Sequence, residues 1–164
     1  MKYLFLAVLS GISVYIGYIF SRKYKIRANF FQALVMLCQK FDVEINYSRE
    51  RLKNIFLGLD EKQKKKLQGI DINFLSYINN ETNFDRDSLF RNLRFLKEEE
   101  KDVIFMFFKN LGRSDVDSQS KEIKNFQTRF ETLSVTANNE NKKYGSLSVK
   151  LGIVAGLVII VILI

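Results

Sequence analysis

Two apolar runs, one at each end, limit what this chain can fold into more than any other feature of its sequence. Residues 3–21 contain 19 residues without a charge, and residues 151–164 contain 14 more. As an α-helix the first run is about 28 Å long, close to the bilayer hydrocarbon thickness of about 30 Å. We therefore predict a transmembrane helix over residues 1–21. A cleaved signal peptide is the alternative, although no A-x-A-like cleavage site follows the run.

The C-terminal run reaches a membrane-spanning length only together with the residues before it. Extension back to Tyr144 gives 21 residues, about 31 Å as a helix, and places Lys150 inside the segment. A lysine near a helix end can extend its ammonium group to the lipid headgroups at modest cost. The sequence predicts a second transmembrane helix over residues 144–164, with a buried core helix as the alternative.

The positions of the charges predict how these helices are oriented. The net charge is +8, and the whole excess flanks the apolar runs, at Lys2, Arg22, Lys23, Lys25, Arg27, Lys142, Lys143 and Lys150. Between residues 28 and 141, 18 Lys and Arg residues balance the 18 Asp and Glu residues. The positive-inside rule therefore puts residues 22–143 in the cytoplasm and both termini outside. This distribution favours a membrane, rather than nucleic acid, as the reason for the basic charge.

The composition excludes most enzyme chemistry. The chain has no His, which removes His-based proton transfer, Ser-His-Asp triads and His-ligated metals. The single Cys38 forms neither an internal disulfide nor a Cys-rich metal site, and no GxxxxGK[ST] or GxGxxG stretch is present. We predict no enzymatic activity, no metal and no cofactor. A membrane-tethered enzyme that uses Asp115 with Asp117 is the weakest hypothesis.

The middle segment has the apolar spacing of α-helices. Apolar residues recur at intervals of three and four, without the sustained alternation that is typical of strands. The pattern predicts an all-α fold, a cytoplasmic helical bundle over residues 22–143 between the two transmembrane helices. Helix breaks are expected at Gly58 with Asp60, at Gly69, and at Asn79 with Asn80. One stripe continues the first apolar run: Ile26, Phe30, Leu34, Leu37, Phe41 and Ile45.

The clearest local signal is the stretch from Leu111 to Asp117. Gly112 stands where a helix places a left-handed C′ residue, and Ser114 stands as an N-cap with Asp117 as its capping-box partner. The pattern predicts a tight corner and then one long helix that starts at Asp115. Nine positions form a stripe on that helix, which could pack within the domain or against another protein: residues 116, 119, 123, 126, 130, 133, 137, 140 and 144.

Small residues four positions apart occur in both apolar runs. Gly152 and Gly156 form a GxxxG in the second run, and the pairs Ser13–Gly17 and Ala7–Gly11 repeat the spacing in the first. Such spacing lets helix backbones approach closely in lipid. It predicts that these positions mark a helix contact.

Three motifs taken in order resemble those of the stage III sporulation protein AB family of endospore-forming bacteria. Residues 41–47 (FDVEINY) are similar to the family's LETEI-x-Y stretch, and LGRSD at 111–115, with Gln119 and Lys121, is similar to its LG-x-SD…Q-x-K signature. Leu151, Gly152 and Gly156 are similar to its closing LG-x-x-x-G span. The resemblance covers nearly the whole chain. It and the motifs nominate these structural or interaction residues: Glu44, Ile45, Tyr47, Leu111, Gly112, Ser114, Asp115, Gln119, Gly152 and Gly156.

The resemblance implies a role in a membrane complex of the mother cell that faces the forespore and is required for late forespore development. The family is similar to the cytoplasmic domain of the inner-membrane platform protein of type II secretion. The chain would then be a platform or scaffold subunit of a channel complex in the outer forespore membrane. Its implied partners are the stage III sporulation protein AA-type ATPase and other stage III sporulation membrane proteins. A stand-alone membrane hairpin that acts as a regulator is the alternative.

Overall fold

The computed structural model describes residues 2–48, 52–79 and 85–163, and every regular element within these ranges is helical. The all-α fold class predicted from the sequence is confirmed for them. The elements include two π-helical turns, which the sequence pattern did not predict. In chain order the elements are α1 (Lys2–Val43), a π-helical turn (Glu44–Ser48), α2 (Leu52–Leu57), α3 (Glu61–Leu67), α4 (Ile70–Ile78), α5 (Arg86–Phe90), α6 (Glu98–Asn110), α7 (Val116–Glu140), a second π-helical turn (Asn141–Gly145) and α8 (Ser146–Leu163).

The short helices begin where the sequence offers a cap or a glycine. The Asp60 carboxylate accepts a hydrogen bond from the Gln63 N–H at 2.6 Å and caps α3. Gly69 precedes α4 at φ +86°, a conformation that glycine adopts without steric cost. Both predicted breaks are thus confirmed. Of the predicted loop, Asn79 ends α4, and Asn80 lies outside the described residues.

The chain forms two compact units, one of residues 1–28 and 135–164 and the other of residues 29–134. In the first unit, α8 packs antiparallel to the N-terminal part of α1. Ser13 Oγ donates a hydrogen bond to the Gly152 carbonyl oxygen at 3.0 Å. A Cβ placed on Gly152 would lie 2.9 Å from the Ser13 carbonyl oxygen and 3.3 Å from the Gly17 Cα. The two backbones are therefore too close for a larger residue at Gly152.

The helix contact predicted from the small-residue spacing is present, with one correction. It uses Ser13, Gly17, Gly152 and Gly156, and a Cβ on Gly156 would lie 3.4 Å from the Ser10 Cβ. Gly11, by contrast, has no neighbouring atom within 4 Å of a Cβ position, so it is not part of this contact. A helix repeats every 3.6 residues, so Gly11 is turned away from the face that carries Ser10, Ser13 and Gly17. The side chain of Ala7 lies outside the described residues.

An ion pair and a ring contact complete the first unit. The Arg27 guanidinium pairs with the Glu140 carboxylate, and the Tyr24 and Tyr144 ring centroids are 5.9 Å apart. Arg27 is only 4% exposed. A charge so buried is tolerated when it is paired. Glu140, a polar position in the predicted α7 stripe, thus has a specific partner.

The second unit is packed around aromatic rings. Phe107 of α6 lies at its centre, and its ring centroid is 5.0–5.3 Å from those of Phe108, Phe126 and Phe130. Such pairs are worth about 0.5–1.5 kcal/mol each beyond the apolar area that they bury. The fully buried phenylalanines are Phe30, Phe31, Phe41, Phe56, Phe74, Phe107, Phe108 and Phe130.

Both predicted apolar stripes contribute to this core. The stripe residues from Phe30 to Phe41 on α1 are buried, and so is Ile45 in the π-helical turn that follows. On α7, Gln119, Ile123, Phe126 and Phe130 are buried, whereas Val116 is 46% exposed. The central part of the α7 stripe therefore packs within the chain, which decides between the two alternatives for those positions.

One helical stretch among the described residues is long and apolar enough to cross a membrane, judged by length and composition. It is Val116–Ile162, which joins α7 to α8, and 17% of its most apolar window is buried. So little burial distinguishes this window from the core helix of a soluble domain. The length and composition of this stretch agree with the predicted second transmembrane helix, and the first one remains a prediction.

Candidate functional site

The first motif segment lies where α1 changes into the π-helical turn Glu44–Ser48. Asn46 is tied to the preceding turn, because its side-chain amide donates to the Asp42 backbone carbonyl at 2.7 Å and to the Asp42 carboxylate at 2.9 Å. Ile45 points into the core and is 8% exposed, and Glu44 is half-buried. The segment is thus held by one apolar anchor and one local polar pair.

The second motif segment forms the predicted corner between α6 and α7. The Leu111 N–H donates to the Phe107 carbonyl and closes the last turn of α6 at 3.1 Å. Gly112 follows at φ +84°, which confirms its left-handed conformation. Its N–H donates to the side-chain oxygen of Gln119 at 2.8 Å. A Cβ on Gly112 would lie 2.8 Å from the Leu52 Cδ1, so space as well as conformation favours glycine.

The N-cap of α7 differs from the prediction by one residue. The helix begins at Val116, and the Asp115 carboxylate accepts the Ser118 N–H at 3.2 Å. Asp115, rather than Ser114, is therefore the capping residue, because two non-helical residues, 113 and 114, separate the left-handed Gly112 from the cap. Hydrogen bonds from Ser118 lower the pKa of Asp115. A carboxylate held in its charged form by a helix N-terminus suits capping rather than proton transfer with Asp117.

The two motif segments meet in the second unit. Ser120 Oγ donates to the Asp42 carboxylate at 2.6 Å, and the Asn46 amide lies 3.1 Å from Ser120 Oγ. Lys124 Nζ lies 3.6 Å from the other Asp42 oxygen. We call Asp42, Asn46, Ser120 and Lys124 the motif junction. It connects the end of α1 to the first turns of α7 by side-chain hydrogen bonds.

The sequence interpretation missed all four residues of the motif junction, and none of the residues that it nominated belongs to the junction. Asp42, Asn46 and Ser120 were not nominated, although the four-residue spacing of Asp42 and Asn46 is a usable signal for a local pair on a helix. Of the nominated residues, Ile45, Leu111, Gly112, Asp115 and Gln119 shape the two segments around it. Ser114 is exposed, and Tyr47 contributes backbone to the π-helical turn, its side chain lying outside the described residues. Gly152 and Gly156 belong to the first unit.

The polar side chains at the motif junction pair with one another and so have a structural role. No group of His, Cys, Asp or Glu side chains that could hold a metal ion occurs among residues 2–48, 52–79 and 85–163. Over the same ranges, every buried side-chain nitrogen or oxygen has a hydrogen-bond partner. The arrangement can fix the angle between α1 and α7 and can present a rigid surface.

Comparison with known proteins shows what kind of chain carries this junction. The family model of stage III sporulation protein AB matches residues 2–164. The chain belongs to this family. No curated protein and no solved structure matches it. It is therefore a stage III sporulation protein, and the resemblance seen in its three motifs is confirmed.

A second polar cluster of this sporulation protein lies between α5 and α6, where the sequence shows three consecutive glutamates. Glu98 is bound by Lys101 at 2.5 Å and by Arg86 at 2.9 Å, and these hydrogen bonds lower its pKa. Arg86 also binds Asp102 at 2.9 Å. Glu100 is only 3% exposed, and its carboxylate accepts the Lys97 N–H at 2.9 Å. Glu98 and Glu100 are thus held by hydrogen bonds within the fold, whereas Glu99 is exposed.

Proposed function

We propose that this protein is a non-enzymatic membrane platform subunit of the stage III channel complex between mother cell and forespore, similar to a secretion system. The observation that carries the proposal is the family match over residues 2–164. In this function the head, residues 22–143, engages a secretion-type ATPase, the stage III sporulation protein AA-type ATPase. The complex is required for late forespore development.

The packing of α1 against α8 supports a membrane hairpin. The two helices contact each other through Ser13, Gly17 and Gly152, a small-residue contact that suits helices in lipid. Large apolar side chains such as Ile12, Leu157 and Val161 are exposed on them. With basic residues flanking both runs on the head side, this supports two spans in the outer forespore membrane, with the head on the mother-cell cytoplasmic side.

The second unit supports a scaffold role. Its core of phenylalanines and its hydrogen-bonded motif junction make a rigid helical body. The polar side chains of the junction are already paired with one another. Rigid surfaces keep the entropy cost of binding low, which is what a platform for a partner protein requires. The size of the head argues against a minimal lesion-forming hairpin, which needs little cytoplasmic mass, and a stand-alone hairpin regulator is the alternative.

A deletion strain of the source bacterium tests the proposal. We expect normal vegetative growth, completed engulfment and no heat-resistant spores, with recovery when the full chain is supplied from another locus. The full chain in mild detergent should also co-purify with the AA-type ATPase. Wild-type spore yield in the deletion strain would refute the proposed function. A sporulation block without ATPase binding would leave the platform role without this partner.

A further inference from the structure

A basic groove in the second unit is not explained by the fold or by the proposed function. It has a cavity volume of about 340 Å³ and is lined by residues of α5, the following turn and α6. Four cations, Arg86, Arg91, Arg94 and Lys101, line it together with the carboxylates of Asp87 and Glu98. The lining residues thus carry an excess of two positive charges, whereas the chain between residues 28 and 141 has no net charge.

The groove is built on a fixed backbone. Leu89, Phe90, Leu93 and Leu96 are all buried, which anchors α5 and the turn that follows it. This spacing leaves Arg91 and Arg94 exposed, three positions apart. Their backbone positions are therefore set by the apolar residues on either side of them.

The four cations divide into two pairs with different roles. Arg86 and Lys101 are held within the groove by Glu98, and Arg86 also by Asp102. Arg91 and Arg94 form no ion pair with any residue in the described ranges. The bound pair makes a rigid wall, and the other pair presents two guanidinium groups to a ligand.

We propose that the basic groove binds an acidic segment of a partner protein through Arg91 and Arg94. A guanidinium group presents its N–H donors in a planar fork that matches a carboxylate, and two of them three positions apart suit two carboxylates of one segment. The basic residues that suit lipid headgroups, Arg22 and Lys23 among them, belong to the other unit. The inference goes beyond the proposed function, because it does not depend on the partner being an ATPase.

Binding of a defined acidic peptide tests this inference. The full chain, in nanodiscs of zwitterionic lipid, is titrated against a fluorescein-labelled deca-glutamate peptide at low salt. We expect saturable binding, and we expect Arg91→Glu with Arg94→Glu to weaken it by at least about tenfold, because charged hydrogen bonds are replaced by like-charge repulsion. The matched control is Lys62→Glu with Lys65→Glu on α3, which changes two exposed cations by the same charge.

The outcomes distinguish peptide binding in the groove from nonspecific electrostatic attraction and from binding of a lipid headgroup. Unchanged affinity of the α3 double variant, with a melting curve of the groove variant like that of the wild type, supports the inference. Absence of peptide binding to the wild type would overturn it, as would equal losses in the two double variants. Soluble dihexanoyl phosphatidylglycerol is the second probe. Binding of this lipid through Arg91 and Arg94, without binding of the peptide, would assign the groove to a headgroup and overturn the inference too.

Discussion

Gln119 holds the corner between α6 and α7 in its observed geometry. The Leu111 N–H completes the hydrogen bonds of α6, so the next amide, that of Gly112, needs an acceptor outside the helix. The Gln119 side-chain oxygen supplies it at 2.8 Å, and the side chain is only 4% exposed. One buried amide thus explains why a glutamine stands seven residues after the glycine.

Replacement of Gln119 by Ala should destabilise the protein by about 1 to 2 kcal/mol, because a hydrogen bond is lost and a small cavity remains. Chemical denaturation of the full chain in mild detergent, followed by circular dichroism, measures the change. Gln127→Ala is the matched control on the same helix, since the Gln127 side chain donates to the exposed Glu131 at 2.8 Å and has no other hydrogen-bond partner among the described residues. Such a surface pair contributes roughly 0.5 kcal/mol or less. Equal losses in the two variants would contradict the role given to Gln119.

Glu98 makes part of the stability depend on pH. Hydrogen bonds from Lys101 and Arg86 lower its folded-state pKa, so its contribution is present above the unfolded pKa of about 4.3 and is lost as the pH falls through the folded value. Glu98→Gln should therefore lower the melting temperature slightly at pH 7, and by less as the pH falls below about 4.3. Glu99→Gln, on the exposed neighbour, serves as the control. A Glu98→Gln effect that persists undiminished at pH 3 would show that the charge is not its cause.

Individual residues were predictable from the sequence where their neighbours along the chain decide their role. Gly112 was identified because a glycine after an apolar helix marks a left-handed turn. The choice of Asp115 over Ser114 as the cap depended on how many residues the turn takes, which local pattern does not specify. The Asp42–Ser120 bond joins positions 78 residues apart, and no local spacing reports such a contact.

At the scale of whole elements, the contact between α1 and α8 can be tested by cross-linking. Ser10→Cys with Gly156→Cys should form a disulfide within one chain under mild oxidation. A Cβ on Gly156 lies 3.4 Å from the Ser10 Cβ, near the separation of about 3.8 Å that disulfides require. Non-reducing electrophoresis after proteolysis between the two helices detects the bond.

Two controls make this cross-linking specific to the observed helix face. Gly11→Cys with Gly156→Cys should not cross-link, because Gly11 has no neighbouring atom within 4 Å of its Cβ position. Added to the Ser10→Cys, Gly156→Cys variant, Gly152→Leu should lower the yield of the disulfide, whereas Gly11→Leu should leave the yield unchanged. Efficient cross-linking of the Gly11 pair would mean that the helices meet through a different face.

Hydrophobic spacing predicted the helices more reliably than the turns that join them. The stripe from Phe30 to Ile45 and the long helix after the corner were recognisable, because both alternate apolar and polar faces with the helical period. The π-helical turns were not, since they insert a residue into an otherwise helical pattern without a distinctive composition. The helix against which each apolar face packs was also not predictable. Apolar spacing shows which face of a helix is buried, but it does not identify the helix that covers this face.

For the whole molecule, the predicted topology can be tested with cysteine labelling. When the protein is expressed in vegetative cells, where it inserts into the plasma membrane, Ser118→Cys should react with an impermeant maleimide only after permeabilisation. Ile164→Cys, at a position outside the described residues, should react in the intact cells. The native thiol does not interfere, because Cys38 is fully buried and burial, with the nearby charge of Glu131, raises its pKa. The unmodified chain provides that background. Labelling of Ser118→Cys in intact cells would contradict the cytoplasmic head.

The contact between the two ends of the chain has a consequence for protein synthesis. Ser13 and Gly152, which share a hydrogen bond, are 139 residues apart. At about 5–20 residues per second, a ribosome needs on the order of ten seconds to extend the chain from the first to the second. During that interval the small-residue face of α1 has no partner from its own chain, and all of residues 29–134 are made before it ends. The order of translation therefore lets the second unit, residues 29–134, fold before α8 packs against α1.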